Sequence, residues 1–380
     1  MGPVNGLKVI ELGGIGPSEF AGMMLADLGA EVVRVDRIDS VDETDWTSSY
    51  STRRGRRSIA VDLKDPRGVD VVLRLVEQAD VLTEGFRPSV AERLGLGPEV
   101  CAQRNPGLIY TRVTGWGQDG PYAQVPGHDI NYLATTGSLY GLGRVGEVPL
   151  PPLNLLGDYG GGGMLTVVGI LAALLERQQS GLGQVIDSAI VDGVSLLTTL
   201  IWGMRAQGEW NDQKGMNVTD GGSPFYDVYE TADGGFVAIG AGEPQFFAAL
   251  MKTLGIDDPP EQWDRSRWPE FKTRVAETFK SRTRDEWSAM VGDPLLCISP
   301  VLSWAEAPHD AHNAARNVFV DFEGLTQPAP APRFDRTPAS LSLGPPMGGQ
   351  HSEEILGDWG FPASDVQSLV DCSVVRQRDR

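Results

Sequence analysis

Two short loops hold the residues of this chain best suited to proton transfer. Gly127-His128-Asp129-Ile130-Asn131-Tyr132 carries one of only four histidines, and Asn154-Leu155-Leu156-Gly157-Asp158-Tyr159-Gly160 carries an aspartate just ahead of a four-glycine run. An imidazole exchanges a proton near neutral pH, and a carboxyl whose surroundings raise its proton affinity is a natural partner for it. His128 follows Pro126-Gly127 in a predicted loop, where histidine has less packing reason to occur than in a core. A structural loop histidine is the competing reading. Asp158 reads equally as a helix cap and as a reacting carboxylate beside glycines that let a substrate approach the main chain.

Three other patterns have residue types that could do chemistry. Arg53-Arg54-Gly55-Arg56-Arg57 is the densest basic run in an acidic protein. It suits a phosphorylated ligand, because arginine grips phosphate through paired donors, and it suits equally a solvated loop. Gly14-Ile15-Gly16-Pro17-Ser18-Glu19 follows a predicted strand but puts Glu19 where the third glycine of a dinucleotide fingerprint belongs, and a carboxylate there repels a pyrophosphate. His309 and His312 are three apart without a nearby third ligand, which reads as a helix surface rather than a metal site.

The elements that position these residues alternate along the chain. Strands are predicted over 9–12, 31–36, 58–63, 80–84 and 108–113, with helices over 18–28, 67–78 and 90–94 between them. This rhythm predicts a parallel, doubly wound sheet with ligands at the carboxyl ends of its strands, where Arg37, Lys64 and Arg87 fall. Two long helices follow, over 164–178 and 186–205, the second read as buried because Asp187 and Asp192 interrupt it too early for a membrane span. Strands over 225–230 and 235–239 and helices over 245–254, 268–281 and 284–291 then predict a second, smaller α+β domain. A Pro-rich linker near 327–338 and a short helix from about 351 complete the chain.

Bulk properties narrow the function. A length of 380 residues exceeds one ordinary core, so two domains are expected. A net charge of −19 disfavours nucleic acid and anionic membranes as partners, so an anionic ligand must meet a local basic patch. Cys101, Cys297 and Cys372 are few and far apart, which fits a reducing compartment, and neither a secretory leader nor a peroxisomal tail is legible, so a cytoplasmic address is expected.

These residues resemble the family III CoA-transferase superfamily and, within it, the α-methylacyl-CoA racemases. The likeness runs through Gly6-Leu7-Lys8-Val9-Ile10-Glu11-Leu12, Asp27-Leu28-Gly29-Ala30-Glu31-Val32-Val33, Ser58-Ile59-Ala60-Val61-Asp62-Leu63-Lys64, the two loops above, Gly240-Ala241-Gly242-Glu243-Pro244-Gln245-Phe246 and His351-Ser352-Glu353-Glu354-Ile355-Leu356. It implies an α/β fold with a Rossmann-like large domain, a smaller α+β domain and an interlaced homodimer. The corresponding boundaries are 1–188 for the first part of the large domain, a helical linker over 189–224, the small domain over 225–319, a linker over 320–338 and a return to the large domain over 339–380.

By matching motifs, the resemblance assigns CoA-thioester contacts to Arg37, Val61, Asp62, Leu63, Lys64, Gly85, Arg87, Gly127, Asp129, Ile130, Asn131 and Tyr132. CoA is then part of the substrate, and no metal, nicotinamide or flavin is required. Transferases use the aspartate matching Asp158 as a nucleophile; racemases pair it with a histidine as an acid–base couple. His128 and the stretch around Glu243 favour interconversion of (2R)- and (2S)-2-methylacyl-CoA thioesters over CoA transfer between carboxylic acids. The catalytic set is therefore His128, Asp158 and Glu243, with Glu243 adding like-charge pressure or orienting His128.

That assignment carries a physical tension. Ordinary values of about 6.5 for histidine and about 3.9 for aspartate differ by roughly 2.6 units, about 3.5 kcal/mol, yet a reversible couple must exchange roles. A helix N-terminus favours the Asp158 anion, so desolvation must raise its proton affinity. Helix-start N–H groups around Gly160 are the expected donors to the enolate oxygen. Trp202, Met204, Trp210 and Met216 read either as acyl-chain surface or as core.

Overall fold

The computed structural model describes residues 2–43 and 50–379 and divides into two compact units. The first comprises residues 1–136, 153–197 and 317–380, and the second residues 137–152 and 198–316.

The first unit is built on β1 (Lys8–Leu12), α1 (Pro17–Asp27), β2 (Glu31–Arg37), β3 (Arg56–Val61), α2 (Pro66–Val76), β4 (Val81–Glu84), α3 (Val90–Arg93), α4 (Pro98–Arg104) and β5 (Ile109–Thr114). It continues with α5 (Asp129–Thr135), α6 (Leu165–Ser180), β6 (Val185–Ala189) and α7 (Ile190–Leu197). Prolines at the first turns of α1, α2 and α4 start these helices without losing an internal hydrogen bond.

The strands alternate their faces, as a covered sheet requires. Ile10 and Leu12 join the core formed with α2, while Val9 joins the opposite core with Ala21 and Leu25 of α1 and Val167 and Ile170 of α6. Each such Val, Ile or Leu side chain contributes roughly 1.5–3 kcal/mol by leaving water.

The chain returns to this unit through the hairpin β10 (Phe319–Phe322) and β11 (Leu325–Pro328), then α13 (Ser352–Asp358), α14 (Ala363–Asp371) and β12 (Val375–Arg376). The seven-stranded sheet has the order β12-β3-β2-β1-β4-β5-β6, parallel except for β12 on β3. Because β1 lies between β2 and β4, the sheet reverses direction there, and the crevice beyond Leu12 and Glu84 is its natural ligand edge.

The second unit packs a three-stranded antiparallel sheet, β7 (Tyr226–Glu230), β8 (Phe236–Gly240) and β9 (Ile298–Pro300), on α9 (Pro244–Leu254), α10 (Trp268–Phe279) and α11 (Arg284–Ser288). Phe225, Phe247, Trp268, Phe279 and Trp287 fill its core. The α8 helix (Thr199–Ala206) and α12 (Ala311–Arg316) also belong here. Residues 137–152 join this unit through Arg144, whose Nη1 lies 2.7 Å from Asp227, a buried carboxylate that also meets Lys272.

Four sequence expectations change. The run 186–205 is not one buried helix: 185–189 form β6, which adds to the sheet edge beside β5, and α8 has no buried residue. Its continuous apolar character concealed both the strand and the break at Thr198. The segment 320–338, expected as a linker, begins within a hairpin. The unit boundary falls after Leu197, and α7 packs with the first unit.

The fourth change concerns the arginine run, which folds inward instead of presenting phosphate donors. Arg56 is fully buried on Glu11 at 2.8 Å, Arg54 donates to Asp27 at 2.6 Å, Arg57 reaches Glu354 and Asp358, and Arg53 lies 2.9 Å from Glu19. Opening a buried pair such as Arg56–Glu11 or Arg54–Asp27 costs about 3–5 kcal/mol, so these two arginines help hold β1, β3 and α1 together. His309 and His312 lie on separate elements, a short 3₁₀ turn and α12.

Candidate active site

Two cavities flank the reversal point of the sheet. The larger, about 600 Å³, is lined by Arg37, Val61, Asp62, Leu63 and Lys64 together with Gly13, Gly14, Phe86 and Met347. Its cations are mostly committed: Arg34 pairs with Glu19 and Asp36, and Arg37 with Asp39 and Glu43. Among the described residues Lys64 has no carboxylate partner, which leaves its ammonium available to an anionic group.

The second cavity, about 460 Å³, is lined by Gly85, Phe86, Arg87, Trp116, Gly127, His128, Asn131, Tyr132 and Asp158, with Ile15, Val113, Val125 and Ile190 among its apolar walls. Phe86 lines both cavities. Its position is set by Glu84, the last residue of β4, whose carboxylate accepts the Phe86 N–H at 2.7 Å and pairs with Arg112 at 3.2 Å. Burial pushes the Glu84 carboxyl up to about 7 against both of these partners. At Gly85 an added Cβ would lie 2.8 Å from the Gly14 Cα, so the loops leaving β1 and β4 touch main chain to main chain.

His128 stands at the N-cap of α5, where its N–H donates to Asn131 Oδ1 at 3.0 Å. The Tyr132 hydroxyl donates to the Gly127 carbonyl at 2.5 Å, and the Trp116 ring meets the Tyr132 ring edge-on with centroids 4.8 Å apart. The histidine is thus delivered by a braced loop.

Asp158 occupies neither a loop nor a simple cap. It lies in the first turn of a ten-residue π-helix, Leu155–Met164, that runs on into α6. Such wide turns concentrate at functional sites. The four glycines lie inside this helix, whose repeating pattern is opened by Tyr159 N–H on the Asn154 carbonyl at 3.2 Å. The sequence expectation that N–H groups around Gly160 face the substrate is therefore corrected: the helix start lies five residues upstream, and the Asp158 N–H there donates to Asp129 Oδ2 at 2.7 Å.

Burial pushes the Asp158 carboxyl up to about 6, the Asp129 charge adds to the shift, and His128 and a hydrogen bond from Asn154 oppose it. Desolvation thus resolves most of the mismatch with an ordinary imidazole.

The predicted residues divide accordingly. His128, Asp158, Gly85, Arg87, Gly127, Asn131 and Tyr132 share one cavity, and Arg37 and Val61 to Lys64 share the other. Asp129 is buried and does not line the cavity shared by His128 and Asp158, and Ile130 is exposed outside that lining. Glu243 belongs to the second unit, exposed at the N-cap of α9. So do Trp202, exposed, and Met204, Trp210 and Met216, half-buried. Sequence reasoning missed Glu84, which carries no motif of its own, and misassigned Asp129, whose bond to a main-chain N–H 29 positions away leaves no sequence signal.

The profile of CoA-transferase family III matches residues 4–352. The chain belongs to CoA-transferase family III. Within that family it is 47% identical to mouse alpha-methylacyl-CoA racemase, covering 98% of this chain and 97% of the relative, and 44% identical to the human racemase over the same shares. A succinyl-CoA–D-citramalate CoA-transferase of Chloroflexus aurantiacus is 30% identical over 97% of this chain and 96% of its own. A CAIB/BAIF family protein from Brucella suis has a similar fold, with a TM-score of 0.82 at 27% identity, covering 94% of this chain and all of that one.

Proposed function

We propose that this chain is an α-methylacyl-CoA racemase that interconverts the (2R) and (2S) epimers of 2-methylacyl-CoA thioesters. The observation that carries the reading is the sharing of one cavity by His128 and a half-buried Asp158 whose carboxyl is raised by burial to about 6, beside the cavity lined by Arg37 and Lys64, which supplies Lys64 to an anionic group. The identity to the mouse and human racemases supports it, and exceeds that to the transferase.

The chemistry follows from the couple. One member removes the α-proton from one face of the thioester, the carbonyl holds the enolate charge, and the other member returns a proton to the opposite face. A proton affinity for Asp158 near that of an imidazole lets each group act as acid or base, so the reaction runs in both directions. No group beyond these side chains and the CoA ester is called for. Glu243 is retained as the third residue of the set on the racemase-like stretch around it.

The exposed apolar residues Leu171 and Leu175 of α6 and Leu196 and Leu197 of α7 support a homodimer. Three unpaired cysteines support a reducing, cytoplasmic setting.

The test incubates a single 2-methylacyl-CoA epimer in D₂O and follows α-deuterium and epimer ratio, with a parallel reaction containing an acceptor carboxylate. Deuterium incorporation with epimerisation is expected. Acceptor-dependent CoA transfer without exchange would overturn the proposal.

A further inference from the structure

Asp129 is covalently next to His128 and hydrogen-bonded to the main chain of Asp158, so one side chain spans both members of the couple. It is 8% exposed, and its second oxygen, Oδ1, is buried without a hydrogen-bond partner among the described residues. The approach is close: a Cβ on Gly157 would fall 2.2 Å from Asp129 Oδ2 and would displace the carboxylate. A buried carboxylate with one idle oxygen is an expensive way to cap a helix, since a neutral Asn or Ser would accept the same N–H at lower desolvation cost.

We propose that Asp129 is the positioning residue of the His128–Asp158 couple: it fixes the spacing of the two groups and holds a like charge beside the Asp158 carboxyl. This role rests on the racemase reading and deepens it. Its electrostatic arm is supported by the rise in Asp158 proton affinity, to which the Asp129 charge is the second contributor after burial. Burial raises the Asp129 carboxyl too, opposed by the N–H groups of Asp158 and Gly157, so the two carboxyls titrate as an interacting pair.

The surroundings leave Asp129 as the acidic neighbour that matters. From α5 the facing groups are His128 and Tyr132, the latter with its proton affinity raised by burial and then by Asp158. The α1 and α7 helices also pack on the π-helix. The first brings Glu19, turned to Arg34 and Arg53, and the second brings Asp192, which is exposed. The charged residues of α6, Glu176 and Arg177, lie at its far end.

The experiment compares wild type, Asp129→Asn and Asp129→Ala by carboxyl ¹³C NMR titration, with Asp158 assigned through Asp158→Asn, and by the pH profile of α-proton exchange. Asparagine keeps an acceptor for the Asp158 N–H and removes the charge. It should lower the Asp158 midpoint by about one pH unit and move the acid limb of the exchange profile down with it. Alanine removes acceptor and charge together, and should in addition cut the exchange rate at the optimum by on the order of tenfold, through misplacement of the couple. An Asp158 midpoint that stays put in Asp129→Asn overturns the proposal, as does failure of both variants to fold, which would make Asp129 a cap alone. If wild type shows no exchange, the racemase reading fails, while the NMR midpoints still judge Asp129 independently.

Discussion

Gly193 and Gly161 meet backbone to backbone: a Cβ on Gly193 would lie 1.9 Å from the Gly161 carbonyl oxygen, and one on Gly161 would lie 2.8 Å from the Val194 nitrogen. The α7 helix therefore rests directly on the π-helix that carries Asp158, with Gly161 of the glycine run at the contact. Gly193→Ala must push the two apart. A loss of about 1–3 kcal/mol of stability is expected, as for other overpacked sites, with a fall in exchange rate because Asp158 moves. Gly357→Ala in α13, where nothing lies within 4 Å of the new Cβ, is the control and should be neutral or gain up to about 1 kcal/mol. Thermal melts of the two variants check the contrast.

Lys64 provides a separate handle on the other cavity. Because its ammonium has no carboxylate partner among the described residues while Arg34 and Arg37 are paired, Lys64→Ala should weaken CoA binding by about five- to tenfold. The loss should shrink as ionic strength rises. Calorimetric titration with CoA at low and high salt measures both. Arg37→Ala should cost less, because Arg37 is strongly exposed and already shared between Asp39 and Glu43.

His128→Ala should suppress α-proton exchange by about 10²- to 10⁴-fold, the usual contribution of a positioned acid or base, with CoA still bound. The histidine lines the cavity that holds Asp158, whereas Arg37 and Lys64 line the other, so chemistry and CoA affinity are expected to separate. Deuterium exchange in D₂O beside CoA titration reads the two independently. Exchange at a near-normal rate in this variant would remove His128 from the couple.

The strands β1 to β5 of the first unit and the helices α1, α2 and α3 between them were legible because apolar runs and Pro- or Gly-marked helix ends agree with the fold there, whereas α4 was not anticipated. His128 and Asp158 were legible as residue types with a spacing that the family resemblance completed. What stayed hidden was non-local. β6 has no alternating pattern that separates it from the apolar α7, and only pairing with β5 makes it a strand. The arginine run reads equally as a phosphate site and as a solvated loop until Glu11 of β1, Glu19 and Asp27 of α1 and Glu354 of α13 converge on it. The donor at the π-helix start is spent on Asp129, a fact written only in the packing of α5 against that turn.

Asp158→Asn separates function from stability. In the folded chain burial raises the Asp158 carboxyl from an ordinary 3.8 to about 6. A carboxyl whose folded value lies above its unfolded value binds its proton more tightly in the native state. Its contribution to stability is thus fully present below about pH 3.8 and is lost as pH rises through about 6. At pH 8 wild type carries a partly buried anion beside Asp129, whereas asparagine mimics the protonated form at every pH. After discounting for partial solvent exposure, the variant should be about 1–3 kcal/mol more stable than wild type at pH 8, with the advantage vanishing near pH 4. At about 2–4 °C per kcal/mol, this is a readable rise in melting temperature. Epimerisation should be abolished at both pH values, since an amide neither takes nor gives the proton on the Asp158 face. A variant that is inactive yet no more stable at pH 8 would mean that the raised proton affinity of Asp158 is absent from the free protein.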